Sequence, residues 1–224
     1  RQCTRYVEFI DNKNSKINAK TLYPYDIVRN VWKCGYFYDS SKRRVLDKYW
    51  KALPDYFEGK PCSILPVVDN SGSMTWNENG GVIPIDVAVS LGIYCAERNV
   101  GDFHNHYISF SRTPKLVEIK GNDIVGKAYS AVKNILYEET NIEAVFDLIL
   151  NTLKKNNLSE EYLPKHIVII SDMEFDEGTN CNDSETLMER IRKQWKKEGY
   201  TMPSLVYWNV CSCLLYTSDA ADEL

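Results

Sequence analysis

Histidine is scarce in this 224-residue chain, which holds only three. None stands beside a serine or cysteine in a nucleophile–base pattern, so a hydrolytic triad has little to be built from. His104-Asn105-His106 invites a metal reading. As strand residues two apart, however, its rings would share a face, and no Cys, Asp or Glu follows at zinc-ligand spacing. His166 reads as the structural start of a strand. Phosphate-cradling loops of the P-loop or GxGxxG kind are absent. No apolar run approaches the roughly 18–20 residues that cross a bilayer; the longest, Ile64–Val68 and Ile167–Ile170, have the length of core strands. No membrane partner is expected, and a cytoplasmic setting is. No leader peptide is visible ahead of the first strand, although the chain opens on Arg1 rather than Met. The seven cysteines are odd in number, and the close pair Cys211 and Cys213 lacks CxxC spacing. They read as mostly buried free thiols of a reducing compartment.

What is present is an ordinary globular balance, 44% hydrophobic with net charge −4. The charge is uneven. The first 62 residues hold 13 basic and 7 acidic side chains, and the remainder 14 and 24. A basic lead before an acidic domain suits contact with an anionic polymer such as a small structured RNA, through Lys42, Arg43, Arg44, Lys48 and Lys51. The other reading is a solvated helix face.

Hydrophobic periodicity gives the elements. Ile27, Val28, Val31 and Trp32 predict a helix over Tyr25–Tyr36, and Val45, Leu46, Tyr49, Trp50 and Leu53 a second one after Ser40 or Ser41. From residue 62 the texture changes. Cys62–Val68 reads as a strand buried on both faces, followed by a helix at Val82–Arg98 and strands at His106–Phe110 and Lys115–Ile119. Helices at Asn122–Leu136 and Asn141–Lys155, a strand at His166–Ile170, a helix at Ser184–Glu198 and a strand at Ser204–Trp208 complete it. This alternation predicts an α/β fold with a doubly wound, mostly parallel sheet flanked by helices. Residues 1–61 read as a helical lead and 62–212 as the domain. The string Cys213–Glu223 resembles a translated sequencing adapter, so 213–224 is read as a non-native tail, the alternative being a short acidic one. That reading leaves the last strand with an open edge.

Asp69-x-Ser71-x-Ser73 ends the first buried strand, where ligands bind in open α/β sheets. Gly72 is expected to let the backbone turn sharply. Asp172 ends the strand Ile167–Ile170, and Thr140 precedes the helix at Asn141. Hydroxyl and carboxylate oxygens are hard donors that suit Mg²⁺, or Mn²⁺, with water filling the remaining positions. Taken singly, Ser71, Ser73 and Thr140 are turn or cap residues and Asp172 a loop acid. Asp69 reads as a surface carboxylate whose loss barely touches the fold. Glu174 and Asp176 form an acidic rim or a solvated loop, and Trp76 is a candidate partner anchor or a cover for the site.

Asp69-Asn-Ser-Gly-Ser73-Met74, Thr140 and Ser171-Asp172 resemble the metal-ion-dependent adhesion site of von Willebrand factor A domains. Ile17–Val28, Phe146–Leu150 and Ser171–Asp176 resemble a family of uncharacterised proteins similar to the Ro ribonucleoprotein and its TROVE-module relatives. The resemblance implies metal contacts by Asp69, Ser71, Ser73, Thr140 and Asp172. It also implies a divalent-cation-dependent binding module, not an enzyme, that captures an acidic group of a protein partner, and a lead that is the end of an RNA-associated platform. RNA binding through the lead and a metal-dependent phosphatase or hydrolase are the alternatives.

Overall fold

The structure is a computed structural model, and it describes residues 19, 21–34, 40–60, 63–76, 81–133, 140–173, 186–211 and 214–217. The elements in chain order are α1 (Pro24–Cys34), α2 (Ser40–Lys51), β1 (Ile64–Asp69), α3 (Pro84–Arg98), β2 (His106–Phe110), β3 (Lys115–Glu118), α4 (Ile124–Val132), α5 (Ile142–Asn156), β4 (His166–Ser171), α6 (Leu187–Lys197), β5 (Ser204–Asn209) and β6 (Leu214–Thr217).

The apolar runs β1 and β4 pair in parallel at the centre of the sheet, Ile64 opposite His166 through Val68 opposite Ile170. The strand order is β3-β2-β1-β4-β5-β6. The pairs β2–β1–β4–β5 are parallel, and β3 and β6 are antiparallel edges. This is the doubly wound arrangement expected from the alternation. The chain leaves β1 for β2 on one side and returns to β4 on the other, so the strand order reverses between β1 and β4. At such a switch point the connecting loops diverge and leave a crevice at the carboxyl ends of the strands. The expected open edge at β5 is instead paired, Trp208 with Leu215 and Asn209 with Leu214.

Both faces are covered, which is why the central strands carry apolar residues without alternation. On one face Val68, Val168 and Ile170 pack with α3, α4 and the lead helices, through Ile27, Val28, Val31, Trp50 and Leu53. On the other, Leu65, Val67, Ile167 and Ile169 pack with α5 and α6. The lead therefore shares the domain's core. α3 is buried on most sides and approaches β1 so closely that a Cβ on Gly92 would lie 2.5 Å from Val68 Cγ2. Proline at its first turn starts it, since the missing N–H is unsatisfied there in any helix. α5 stops where Asn157 turns left-handed (φ 51°), a conformation asparagine tolerates.

Polar clamps fix the lead in place. Trp50 Nε1 donates to Glu97 Oε2 at 2.7 Å, and Tyr94 OH donates to the Pro54 carbonyl at 2.6 Å. Arg43 grips both oxygens of Asp123, 2.9 and 2.8 Å away, while Asp123 also caps α4 by accepting from Gly126 N at 2.7 Å. Burial pushes the Asp123 carboxyl up, but the Arg43 hydrogen bond, the Gly126 amide and the charges of Arg43 and Lys51 outweigh it and hold the group below its ordinary value. Removing a cap and a partly exposed bidentate pair costs about 2 kcal/mol together, so Asp123→Ala is expected to lose that much in a urea melt. A carboxyl held down contributes stability that is present above its unfolded value and is lost as pH falls through the folded one. The parent's acid limb should therefore be steeper than that of Asp123→Ala.

Candidate functional site

The crevice between β1 and β4 is built on Asp69. Its side chain is fully buried at the end of β1. Oδ1 accepts from Ser71 N at 2.9 Å, and Oδ2 accepts from the Ser171 hydroxyl at 2.5 Å. Ser171 is the last residue of β4, so this bond ties the two switch-point strands together across their carboxyl ends. The expectation of a surface carboxylate is therefore corrected, because the parallel register folds the acid under its own loop. Burial raises the Asp69 carboxyl above its ordinary value; the Ser171 and Ser71 bonds oppose this, and the negative charge of Asp172 adds to it.

Ser71 and Ser73 follow in the loop. Their hydroxyl oxygens lie 3.0 Å apart, with Ser71 buried and Ser73 exposed. Ser73 opens a one-turn helix to Thr75, under which Met74 is fully buried, so packing fixes the position of the pair. Gly72 does not need glycine's freedom. Its φ and ψ of −62° and −37° are right-handed, and an added Cβ would meet nothing within 4 Å. The chain does bend at Gly72, but it does so in a right-handed conformation open to any residue. Trp76 points outward at 70% exposure and does not cover the site.

Asp172 is half-buried directly after β4, with Oδ1 3.5 Å from the Ser171 hydroxyl. The next residue, Met173, is left-handed at φ 68° and donates its N–H to Ser171 Oγ at 2.9 Å. The left-handed residue thus lies at this strand end and not at Gly72. Glu174 and Asp176 lie outside the described residues.

Thr140 stands at the N-terminal end of α5. That helix returns the chain to the start of β4, so its N-terminus lies over the carboxyl ends of the strands. The cap is Asn141, which accepts from Ala144 N at 3.0 Å, and Thr140 does not serve as one. Its hydroxyl is buried with no hydrogen-bond partner among the described residues. A buried orphan hydroxyl costs stability unless something binds it.

These residues suit a hard cation. The Ser71 and Ser73 hydroxyls follow Asp69, whose carboxylate is repelled by that of Asp172, and the Thr140 hydroxyl has no hydrogen-bond partner among the described residues. No cluster of three or more His, Cys, Asp and Glu exists among the described residues, so a thiolate or imidazole site is not built here. Ser171 is the residue that motif spacing alone did not select. Its signal was adjacency to Asp172 at the end of a buried strand.

The histidines sit elsewhere. His166 and His106 begin β4 and β2, at the amino ends of the strands. His104 is not in a strand, because Asn105 turns left-handed (φ 59°) between it and β2, which overturns the shared-face geometry. Its Nδ1 lies 2.9 Å from the Asn99 carbonyl. Of the basic residues, Arg43 is held by Asp123, and Lys51 is 2.6 Å from Asp47. Lys42 and Arg44 are exposed, and Lys48 is half-buried. Cys95 is buried and Cys211 exposed, and neither is in a disulfide. No helix among the described residues is long and apolar enough to cross a membrane.

Residues 63–221 match the family described as Domain of unknown function (DUF7788). The chain is also 27% identical over 209 residues to Uncharacterized protein L728 of Acanthamoeba polyphaga mimivirus. That alignment covers 92% of this chain and 34% of the viral protein, so the chain spans about a third of its relative's length. Coverage that complete takes in the lead helices α1 and α2, which lie ahead of the family match.

Proposed function

The chain belongs to the DUF7788 family, and from that premise we propose a divalent-cation-dependent binding module of the von Willebrand factor A kind, which captures an acidic group of a partner protein. The observation that carries this reading is the buried Thr140 hydroxyl, without a hydrogen-bond partner among the described residues, on a helix whose N-terminus faces the sheet edge that holds the paired Ser71 and Ser73 hydroxyls. Ser71 and Ser73 would hold Mg²⁺, or Mn²⁺, directly, and Thr140 and Asp172 directly or through water. Asp69, whose two oxygens already face Ser71 N and Ser171, is the positioning residue. The ion would supply an electrophilic position for an external carboxylate. Membership of a Ro-like ribonucleoprotein belongs to the same proposal and rests on the sequence resemblance.

Binding is favoured over hydrolysis because the histidines flank the amino ends of the strands, opposite the crevice, and offer it no general base. RNA capture by the lead is less favoured, since Arg43 and Lys51 are engaged in ion pairs within the fold.

A thermal melt in EDTA and then in millimolar Mg²⁺ tests the site. An ion at 100 times its dissociation constant adds about 2.7 kcal/mol. In a chain of this size that is a rise of roughly 5–10 °C. Ser73→Ala removes an exposed hydroxyl, so it should leave the EDTA melt unchanged and abolish the rise. A folded parent with no Mg²⁺ response would sink the reading.

A further inference from the structure

The second surface of note lies at the far edge of the sheet. A cleft of about 680 Å³ runs between β3 and α4, lined by all four β3 residues, by Gly126, Tyr129, Ser130 and Lys133 of the α4 region, and by Arg43 and Lys120. Successive strand residues point to opposite faces of a sheet. A cleft that touches Lys115, Leu116, Val117 and Glu118 in turn therefore follows the edge of the strand rather than one of its faces. Among the described residues β3 pairs with β2 alone and ends the sheet, so its outer edge presents backbone donors and acceptors with no strand beside them there.

The cleft is also cationic. Arg43 is neutralised by Asp123 and Lys120 by Glu118 at 3.1 Å, whereas Lys115 and Lys133 are exposed and form no ion pair among the described residues. Leu116, 46% exposed, supplies an apolar contact on the same strand.

We propose that the β3–α4 cleft binds an extended acidic peptide segment of a partner protein, which adds to β3 as a further strand. Main-chain hydrogen bonds along the edge provide the general attraction. Lys115 and Lys133 select acidic side chains, and Leu116 takes an apolar one. A single-stranded nucleic acid is disfavoured. Such ligands need aromatic faces for stacking, and the one ring lining the cleft, Tyr129, is already packed edge-on with Trp32 at 5.7 Å. The proposal is independent of the metal site, which lies at the centre of the sheet.

The test uses the full chain and a fluorescein-labelled octapeptide of alternating Glu and Val, read by anisotropy at low and high salt. The same peptide with Lys for Glu and an octamer of uridylate are the comparison probes. The Glu-Val peptide should bind and weaken with salt. Lys115→Glu combined with Lys133→Glu should weaken it on the order of tenfold or more. Both side chains are exposed, so an unchanged melt will verify that the variant folds. Hydrogen exchange at the Lys115–Glu118 amides should slow on binding. No peptide binding, equal binding of the Lys-Val peptide, binding of the uridylate alone, or binding without slower exchange at β3 would each overturn the proposal.

Discussion

Replacing Asp69 by Asn is expected to leave the melt in EDTA within about 1 kcal/mol of the parent while erasing the rise produced by Mg²⁺. Asn keeps one oxygen to accept from Ser71 N. Its amide can donate to Ser171 Oγ, which then turns its own proton towards Asp172. Shape and both hydrogen bonds survive; only the charge goes. Asp69→Ala is a different experiment. It leaves the Ser71 amide and the Ser171 hydroxyl without their shared partner inside the crevice, which costs about 1–3 kcal/mol before any ion is added. The full difference between Asp69→Ala and the Mg²⁺-loaded parent is then about 4–6 kcal/mol. Equal loss of the Mg²⁺ response in both variants, with unequal melts in EDTA, separates ion binding from folding. A normal Mg²⁺ response in Asp69→Asn would show that the carboxylate's charge plays no part.

The largest purely structural effect is expected at Trp195 of α6. The residue is 1% exposed and meets Phe146 of α5 edge-on, ring centroids 6.2 Å apart. It is a main filling of the core between the sheet and these two helices. Truncation to Ala should cost about 3–5 kcal/mol, the range for emptying a large aromatic site, and lower the melting temperature by roughly 10 °C. Trp195→Phe separates the contributions. The indole Nε1 is buried with no hydrogen-bond partner among the described residues, so losing it offsets part of the lost volume, and a change of about 1 kcal/mol or less is expected. α6 runs from the carboxyl edge back to the start of β5, which places Trp195 towards the amino ends of the strands. The Mg²⁺ response of either variant should therefore match the parent's. An altered response would mean that this core communicates with the crevice.

The architecture was legible because burial on both faces leaves a direct trace. Ile64–Val68 and Ile167–Ile170 could be continuous apolar runs only if helices covered both sides, and those helices showed their own spacing. The positions of Asp69, Ser71, Ser73 and Asp172 at strand ends were legible for the same reason, since a motif that closes a buried strand must lie at the sheet's edge. The depth of Asp69 was not. It depends on Ser171, 102 residues away, and no local pattern encodes that bond. Thr140 looked like a cap because hydroxyls before helices commonly are; the geometry gave the cap to its neighbour, Asn141. His104 was misplaced for want of one left-handed residue, Asn105. Leu214–Thr217 was read as foreign text, yet it pairs with β5, because a strand edge accepts backbone irrespective of where its side chains come from. The cationic cleft leaves no local pattern, because Lys115, Lys133 and Arg43 are scattered along the chain and meet only where β3, α4 and α2 come together.

The bond between Asp69 and Ser171 also sets a timetable. A ribosome adds about 5–20 residues each second, so the acid waits roughly 5 to 20 seconds for a hydroxyl that is yet to be synthesised. During that interval β1 has no β4 beside it. The β2–β3 hairpin and the helices can form early, but the crevice cannot exist on the nascent chain until β4 has emerged. An unfinished protein therefore carries the motif without its geometry until its central strands have closed.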